Sequence, residues 1–184
     1  MDNNTLNKRT SKLGFNGKIM TSTNSTARLI LVSTPIGNMG DISMRAIEAF
    51  RSADKILCED TRVSRKLLKK YNIETKLSSY HEHNAQKIKP KIIRDLEIGA
   101  RIVLISDAGT PLISDPGYQL VRACIDSGIQ ISTVPGPTAL TAALAVSGLP
   151  PDTFYFGGFL PTKKSARRNV FLEKVALKTT LIFY

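Results

Sequence analysis

The chain is poor in the residues that build metal and redox sites: its 184 residues include two histidines and two cysteines. Cys58 and Cys124 each lie inside an apolar run without metal-ligand spacing. They read as reduced core residues of a cytosolic protein rather than as a disulfide or a zinc site. Both histidines fall in His81-Glu82-His83-Asn84, and no third ligand accompanies them, so substrate contact or helix capping by Asn84 stands ahead of metal binding. Long apolar runs are missing as well. The most extended weakly polar stretch, Thr138 to Leu149, is too short to cross a bilayer, and the first residues have no apolar core that could serve as a secretory signal. A soluble, cytoplasmic protein is expected, with no membrane partner. Neither a lysine-bearing phosphate loop nor the G-x-G-x-x-G fingerprint occurs, which takes support from the common nucleotide-binding folds. Acidic residues are outnumbered, 15 against 26 basic ones, for a net charge of +11. Such a balance favours an anionic partner such as RNA, bound through phosphate contacts and counterion release.

What is present has ordinary globular composition, 42% hydrophobic and 22% charged, in a length that suits one full domain and part of another. Residues 1–27 are rich in Asn, Thr, Ser and Lys without apolar periodicity, so a disordered basic tail is expected there, and Met20 is as good a starting methionine as Met1. From Leu29 onward, short β-branched runs alternate with helix-period segments. Strands are expected near 29–33, 54–59, 77–80, 101–106 and 129–134. That alternation predicts an α/β fold, a mostly parallel sheet with helices on both faces. A helix near 42–52 is expected to start at Asp41, with Ile42, Ala46, Ile47 and Phe50 on one apolar face. Another near 116–127 takes Asp115 as its N-cap, Pro116 as its first residue and Gly128 just past its end.

A further helix near 138–147 leads to Gly148-Leu149-Pro150-Pro151, whose prolines mark a domain boundary. The pattern then restarts, with a strand over Asp152 to Phe159, a helix over Ser165 to Ala176 and a strand over Thr179 to Tyr184. Three elements cannot enclose a core. Residues 28–149 thus read as one α/β domain and 150–184 as the start of a second, incomplete one.

Chemistry-bearing motifs cluster where strands end. Open α/β sheets bind ligands in the crevice outside those ends. The Gly/Pro-rich run from Ser106 to Gly117 follows the fourth strand, Ser33 to Asp41 follows the first, and Val134-Pro135-Gly136-Pro137-Thr138 follows the fifth. Gly109 and Gly117 are placed to let backbone approach a small molecule. Such loops also serve as plain βα turns. Cys58-Glu59-Asp60-Thr61-Arg62 puts two carboxylates and an arginine at the end of the second strand, where Asp60 or Thr61 could simply cap the next helix. Arg65, Lys66, Lys69 and Lys70 could then be its solvated face.

Read together and in order, Ser33-Thr34-Pro35-Ile36-Gly37-Asn38, Cys58 to Arg62, His81 to Asn84, Ser106 to Gly117, Pro135 to Thr138 and Gly157-Gly158-Phe159-Leu160-Pro161 resemble the ribosomal RNA small subunit methyltransferase I family. The resemblance runs from about Leu29 to Tyr184. That family belongs to the tetrapyrrole methylase superfamily, whose two α/β domains hold S-adenosylmethionine between them. It therefore implies 2′-O-methylation of a cytidine ribose in the decoding region of small-subunit ribosomal RNA. The partner would be that RNA or the assembled small ribosomal subunit, and the full-length protein would be a homodimer. By the same resemblance Pro35, Ser106, Asp107, Ala108, Gly109, Thr110, Pro111, Ile113, Ser114 and Thr138 contact the cofactor, and Phe159 and Leu160 join them from the second domain. A ribose hydroxyl needs a proton acceptor, for which Glu59, Asp60, His81 and Glu82 are available, Glu59 first. RNA phosphates would fall to Arg62, Arg65 and Lys66, and to Lys163, Lys164, Arg167 and Arg168. Two other readings stay open: a methylase acting on a corrin precursor, and a catalytically inactive RNA-binding fragment of the same fold.

Overall fold

The computed structural model describes residues 26–184, so the expected basic tail lies outside the described residues up to position 25. Five strands form one sheet: β1 (Leu29–Val32), β2 (Lys55–Cys58), β3 (Leu77–Ser79), β4 (Ile102–Leu104) and β5 (Ile131–Val134), in the order β3-β2-β4-β1-β5. Every pairing is parallel. The strands lie within the predicted spans, and the alternation of strand and helix segments gave the fold class correctly. Ala27, counted with the tail by the sequence reading, is already buried.

Connections from β1 to β2 and from β2 to β3 run one way across the sheet through α1 (Met44–Arg51) and α2 (Thr61–Lys70); those through α3 (Glu82–Glu97) and α4 (Tyr118–Asp126) run back. Right-handed crossovers then require α1 and α2 on one face and α3 and α4 on the other. The two cores bear this out. Phe50, Ile47, Leu67 and Leu68 pack with Ile30, Ile56 and Val103, while Ile92, Leu96, Leu120 and Cys124 pack with Leu29, Leu57 and Leu104. Successive strand residues thus serve opposite cores, as the two-residue period of a strand demands. Both cysteines are free and buried.

Two helix starts differ from expectation. α1 begins at Met44, capped by the Ser43 hydroxyl on the Ala46 N–H at 3.1 Å, because Met39–Asp41 closes a separate 3-10 turn capped by Asn38. Asp115 does not cap α4. Gly117 sits at φ +137, outside helical space, so the helix cannot take in Pro116 and starts at Tyr118. The Asn84 side chain does cap α3, as the motif allows: its Oδ1 accepts the N–H of His81, the N-cap residue, at 3.0 Å. α3 continues through Pro90, a residue that local rules place at helix ends rather than inside them.

Beyond β5, α5 (Ala139–Val146) leads to a second, two-stranded parallel sheet, β6 (Phe154–Phe156) and β7 (Thr180–Ile182), joined by α6 (Lys164–Lys174). Among the described residues no helix is long and apolar enough to cross a membrane.

Candidate functional site

β1 and β4 are neighbours whose onward connections leave in opposite directions, which makes the space beyond their carboxyl ends the switch point of the sheet. Three loops meet there and are tied by short polar contacts. Thr34 and Gly109 exchange backbone hydrogen bonds of 2.9 and 3.1 Å, an isolated antiparallel bridge between the β1 and β4 loops. The Thr34 hydroxyl donates to the Ser106 carbonyl at 3.2 Å, and the Ser106 hydroxyl turns back onto the Gly109 carbonyl at 3.2 Å. Thr110 Oγ1 joins the third loop, donating to the Pro137 carbonyl at 3.1 Å and lying 3.0 Å from Ser33 Oγ. The glycines here are set by contact. Gly109 holds φ +84, and a Cβ on Gly136 would sit 2.9 Å from Ser33 Cβ.

Around this junction the structure gathers most of the residues singled out in the sequence. Pro35, Ser106, Asp107 and Ala108 line a cavity of about 340 Å³ roofed by Met39, Val63 and Leu67 on the α1/α2 side. Gly109 and Pro111 are buried behind it, and Thr138 is the N-cap residue of α5. Farther along the loop, Ile113 and Ser114 are exposed, and Ser114 holds φ +64. Gly158 approaches them closely, since a Cβ on it would lie 3.4 Å from the Ser114 hydroxyl. The neighbouring Phe159 and Leu160 are held by backbone bonds with Tyr184, Leu160 donating to its carbonyl at 3.0 Å and Gly158 accepting from its N–H at 2.8 Å. Phe159 remains 69% exposed, its ring tilted against that of Tyr184 with centroids 5.4 Å apart.

The carboxylates beyond β2 differ in state. Asp60 caps α2: its Oδ1 accepts the Arg62 N–H at 2.8 Å, and its two oxygens take the Arg62 guanidinium at 2.6–3.1 Å. These bonds hold its carboxyl down to about 2. Glu59 has no such partner. Partial burial pushes its carboxyl above the usual range, and the charges of Asp107, Asp115 and Glu82 add to this while His81 opposes it. Alternation along β2 continues past Cys58 to put Glu59 on the α3/α4 side, the side of Asp115 and Glu82. Asp107 Oδ1 fixes the turn by accepting the Asp60 N–H at 3.1 Å. Asp115 is raised by burial as well, with Asp107 adding to it.

Of the basic residues, Arg62, Arg65 and Lys66 stand exposed along α2, with Arg62 paired to Asp60. Lys163 precedes α6, Lys164 and Arg168 are exposed on it, and Arg167 is half-buried against the Pro161 and Thr162 carbonyls. Among the described residues no group of three or more His, Cys, Asp or Glu side chains is placed to hold a metal ion. A second cavity escaped the sequence reading. It lies between the first turns of α3 and α4, about 280 Å³, lined by Tyr80, Gln86, Tyr118 and Gln119 together with Glu82 and Asp115. No motif announces it, because its walls come from two segments about thirty residues apart.

A parallel sheet with its polar loops tied at a switch point defines an α/β ligand-binding protein, and the comparisons specify which. The family model of the Tetrapyrrole (Corrin/Porphyrin) Methylases matches residues 28–184, and the chain belongs to that family. It is similar to the ribosomal RNA small subunit methyltransferase I of Mesorhizobium japonicum, 53% identical over 156 residues, which is 85% of this chain and 53% of that protein. The chain thus spans about half the length of the curated relatives it matches. In fold it is similar to a diphthine synthase, with TM-score 0.67 and 15% identity over 85% of this chain and 63% of the other. A uroporphyrin-III C-methyltransferase from Thermus thermophilus, solved with S-adenosylhomocysteine, gives TM-score 0.53 and 22% identity over 73% and 60%. The resemblance read from the ordered motifs is borne out.

Proposed function

We propose that the protein transfers a methyl group from S-adenosylmethionine to the ribose 2′-hydroxyl of a cytidine in small-subunit ribosomal RNA, with Glu59 accepting the proton. One observation carries the reading: the loops after β1, β4 and β5 are stitched through Ser33, Thr34, Gly109, Thr110 and Pro137 into a single rigid rim at the switch point. The names of the similar curated proteins support the reaction class and the RNA substrate.

The residues present fit the cofactor. Its cationic sulfonium and ammonium suit the carboxylate side at Asp107, and its adenine suits the exposed apolar Ile113 and Phe159. When bound, it supplies an electrophilic methyl group beside a positive sulfur, so attack by oxygen disperses charge and depends mainly on positioning in a site shielded from water. Pro35, Ser106 to Pro111, Ser114 and Thr138 would hold it from the first sheet, and Phe159 and Leu160 from the second. On this reading 28–149 is one domain and 150–184 the start of a second that closes over the first.

Glu59 is preferred over Asp60 as the proton acceptor. A carboxyl held near 2 by an arginine is a weak base, whereas one raised toward neutrality takes a proton more readily. Arg65 and Lys66 on α2 and Lys163, Lys164 and Arg168 on α6 would meet RNA phosphates, and this basic surface favours RNA over a corrin precursor. A calorimetric titration with S-adenosylmethionine, paired with a methyl-transfer assay, tests the assignment. Glu59→Gln should bind the cofactor as the wild type does yet lose transfer by about 10²-fold or more. Transfer at the wild-type rate would remove Glu59 from the role.

A further inference from the structure

The β4 loop separates two cavities. Ser106 to Ala108 line one on the α1/α2 side, and Asp115 to Gly117 line the other on the α3/α4 side. At about 280 Å³ the second lies at the lower edge of small-molecule sites, about 300–1,000 Å³, and is sized for one flat ring rather than for a whole cofactor. Its acidic walls, Glu82 and Asp115, exclude a phosphate. Its remaining equipment is what reads a base.

Tyr118 is the first residue of α4 and is 67% exposed at the rim. It is rigidly presented, because Gly117 before it packs so closely that a Cβ there would lie 2.8 Å from Leu112 Cδ1 and 2.9 Å from Leu104 Cδ2. Gln86 Nε2 donates to Gln119 Oε1 at 2.6 Å across the mouth of the cavity, which leaves the Gln86 oxygen and the Gln119 amide N–H groups free. Glu82, exposed in the first turn of α3, adds a carboxylate, an acceptor suited to an exocyclic amine. Glu59 follows directly on Cys58, whose carbonyl accepts the N–H of Tyr80 in the cavity wall at 2.8 Å.

We propose that the cavity between α3 and α4 is a nucleobase subsite, in which the target base stacks on Tyr118 while Glu82 and the Gln86/Gln119 amides read the exocyclic amino group and the adjoining edge. The proposal rests on the RNA methyl-transfer reading and deepens it: it makes this cavity the element that selects an amino-bearing pyrimidine over a keto one and sets its ribose beside Glu59. Stacking on an aromatic face is tolerant of sequence, so discrimination falls to the amides and the carboxylate.

The test uses the intact protein and two short single-stranded RNAs that differ at one central position, cytidine or uridine in a uridine background, with binding followed by fluorescence anisotropy over a series of salt concentrations. The wild type should bind the cytidine RNA more tightly. Tyr118→Ala should weaken that binding about tenfold. Tyr118→Phe should retain it, and Gln119→Ala should erase the preference between the two RNAs. The salt slope should stay unchanged throughout, because none of these side chains carries a charge that meets a phosphate. Both glutamines and Tyr118 are exposed, so the variants keep the fold, which thermal unfolding verifies. Equal binding of the two RNAs by the wild type, or wild-type affinity in Tyr118→Ala, overturns the subsite while salt-dependent RNA binding leaves the broader reading intact. Absence of RNA binding by the wild type even at low salt overturns both.

Discussion

Glu59 and Asp60 are adjacent in sequence and opposite in environment, and the difference is set by who bonds to each. Asp60 spends its oxygens on a helix N-terminus and a guanidinium; Glu59 faces other carboxylates. A folded-state carboxyl raised above its unfolded value contributes stability that is fully present below the unfolded value and is lost as pH rises through the folded one. Glu59→Gln should therefore raise the thermal midpoint at neutral pH and leave it unaltered in acid, an outcome a pair of melting curves reads directly. The same elevation sets the activity profile. The acid limb of kcat/KM should fall above the usual carboxylate range, and Asp107→Asn, which keeps an acceptor for the Asp60 N–H but removes a charge facing Glu59, should move that limb to lower pH. Asp60 was legible as a cap as soon as it stood before a helix. That Glu59 would be the unpartnered member was not, because the charges around it come from two distant segments, Asp107 and Asp115 from the β4 loop and Glu82 from the start of α3.

At the scale of elements, the site is a set of loops kept in register by side-chain oxygens and by glycines that exclude a Cβ. Thr110→Val removes one bond to Pro137 and the pairing with the Ser33 hydroxyl, and should cost about 1 kcal/mol in unfolding free energy together with a loss of cofactor affinity. Gly117→Ala should be costlier, about 1–3 kcal/mol, since the new methyl meets two leucines at a positive φ; urea unfolding measures both. The strands were legible because β-branched runs bounded by turn residues leave little choice. Helix starts were less so. Asp115-Pro116 has the composition of a helix N-terminus, yet packing of Gly117 against Leu104 and Leu112 fixes a backbone that no helix accepts. α3 hides its length behind Pro90, where tertiary packing of Ile92 and Leu96 outweighs the local penalty.

For the whole molecule, net charge and topology act together. The sheet order puts the Gly/Pro-rich loops at one edge, while exposed cations lie along α2 and at the start of α6, the surface proposed above to meet RNA phosphates. Replacing Lys163 and Lys164 with alanine should weaken RNA binding uniformly across sequences and lower the salt slope by about one for each phosphate no longer neutralised. The sequence's motif order carried the family. The cavity between α3 and α4 was invisible there, because only the reversal of chain direction after β3 brings Gln86 beside Gln119. The central claim is that this rim supports methyl transfer to a ribose hydroxyl. Its most direct test is transfer of labelled methyl from S-adenosylmethionine to unmodified small ribosomal subunits, with the product nucleotide mapped. One methylated cytidine ribose, absent with Glu59→Gln, is the predicted result; label on a base or on no nucleotide, despite cofactor binding, would contradict it.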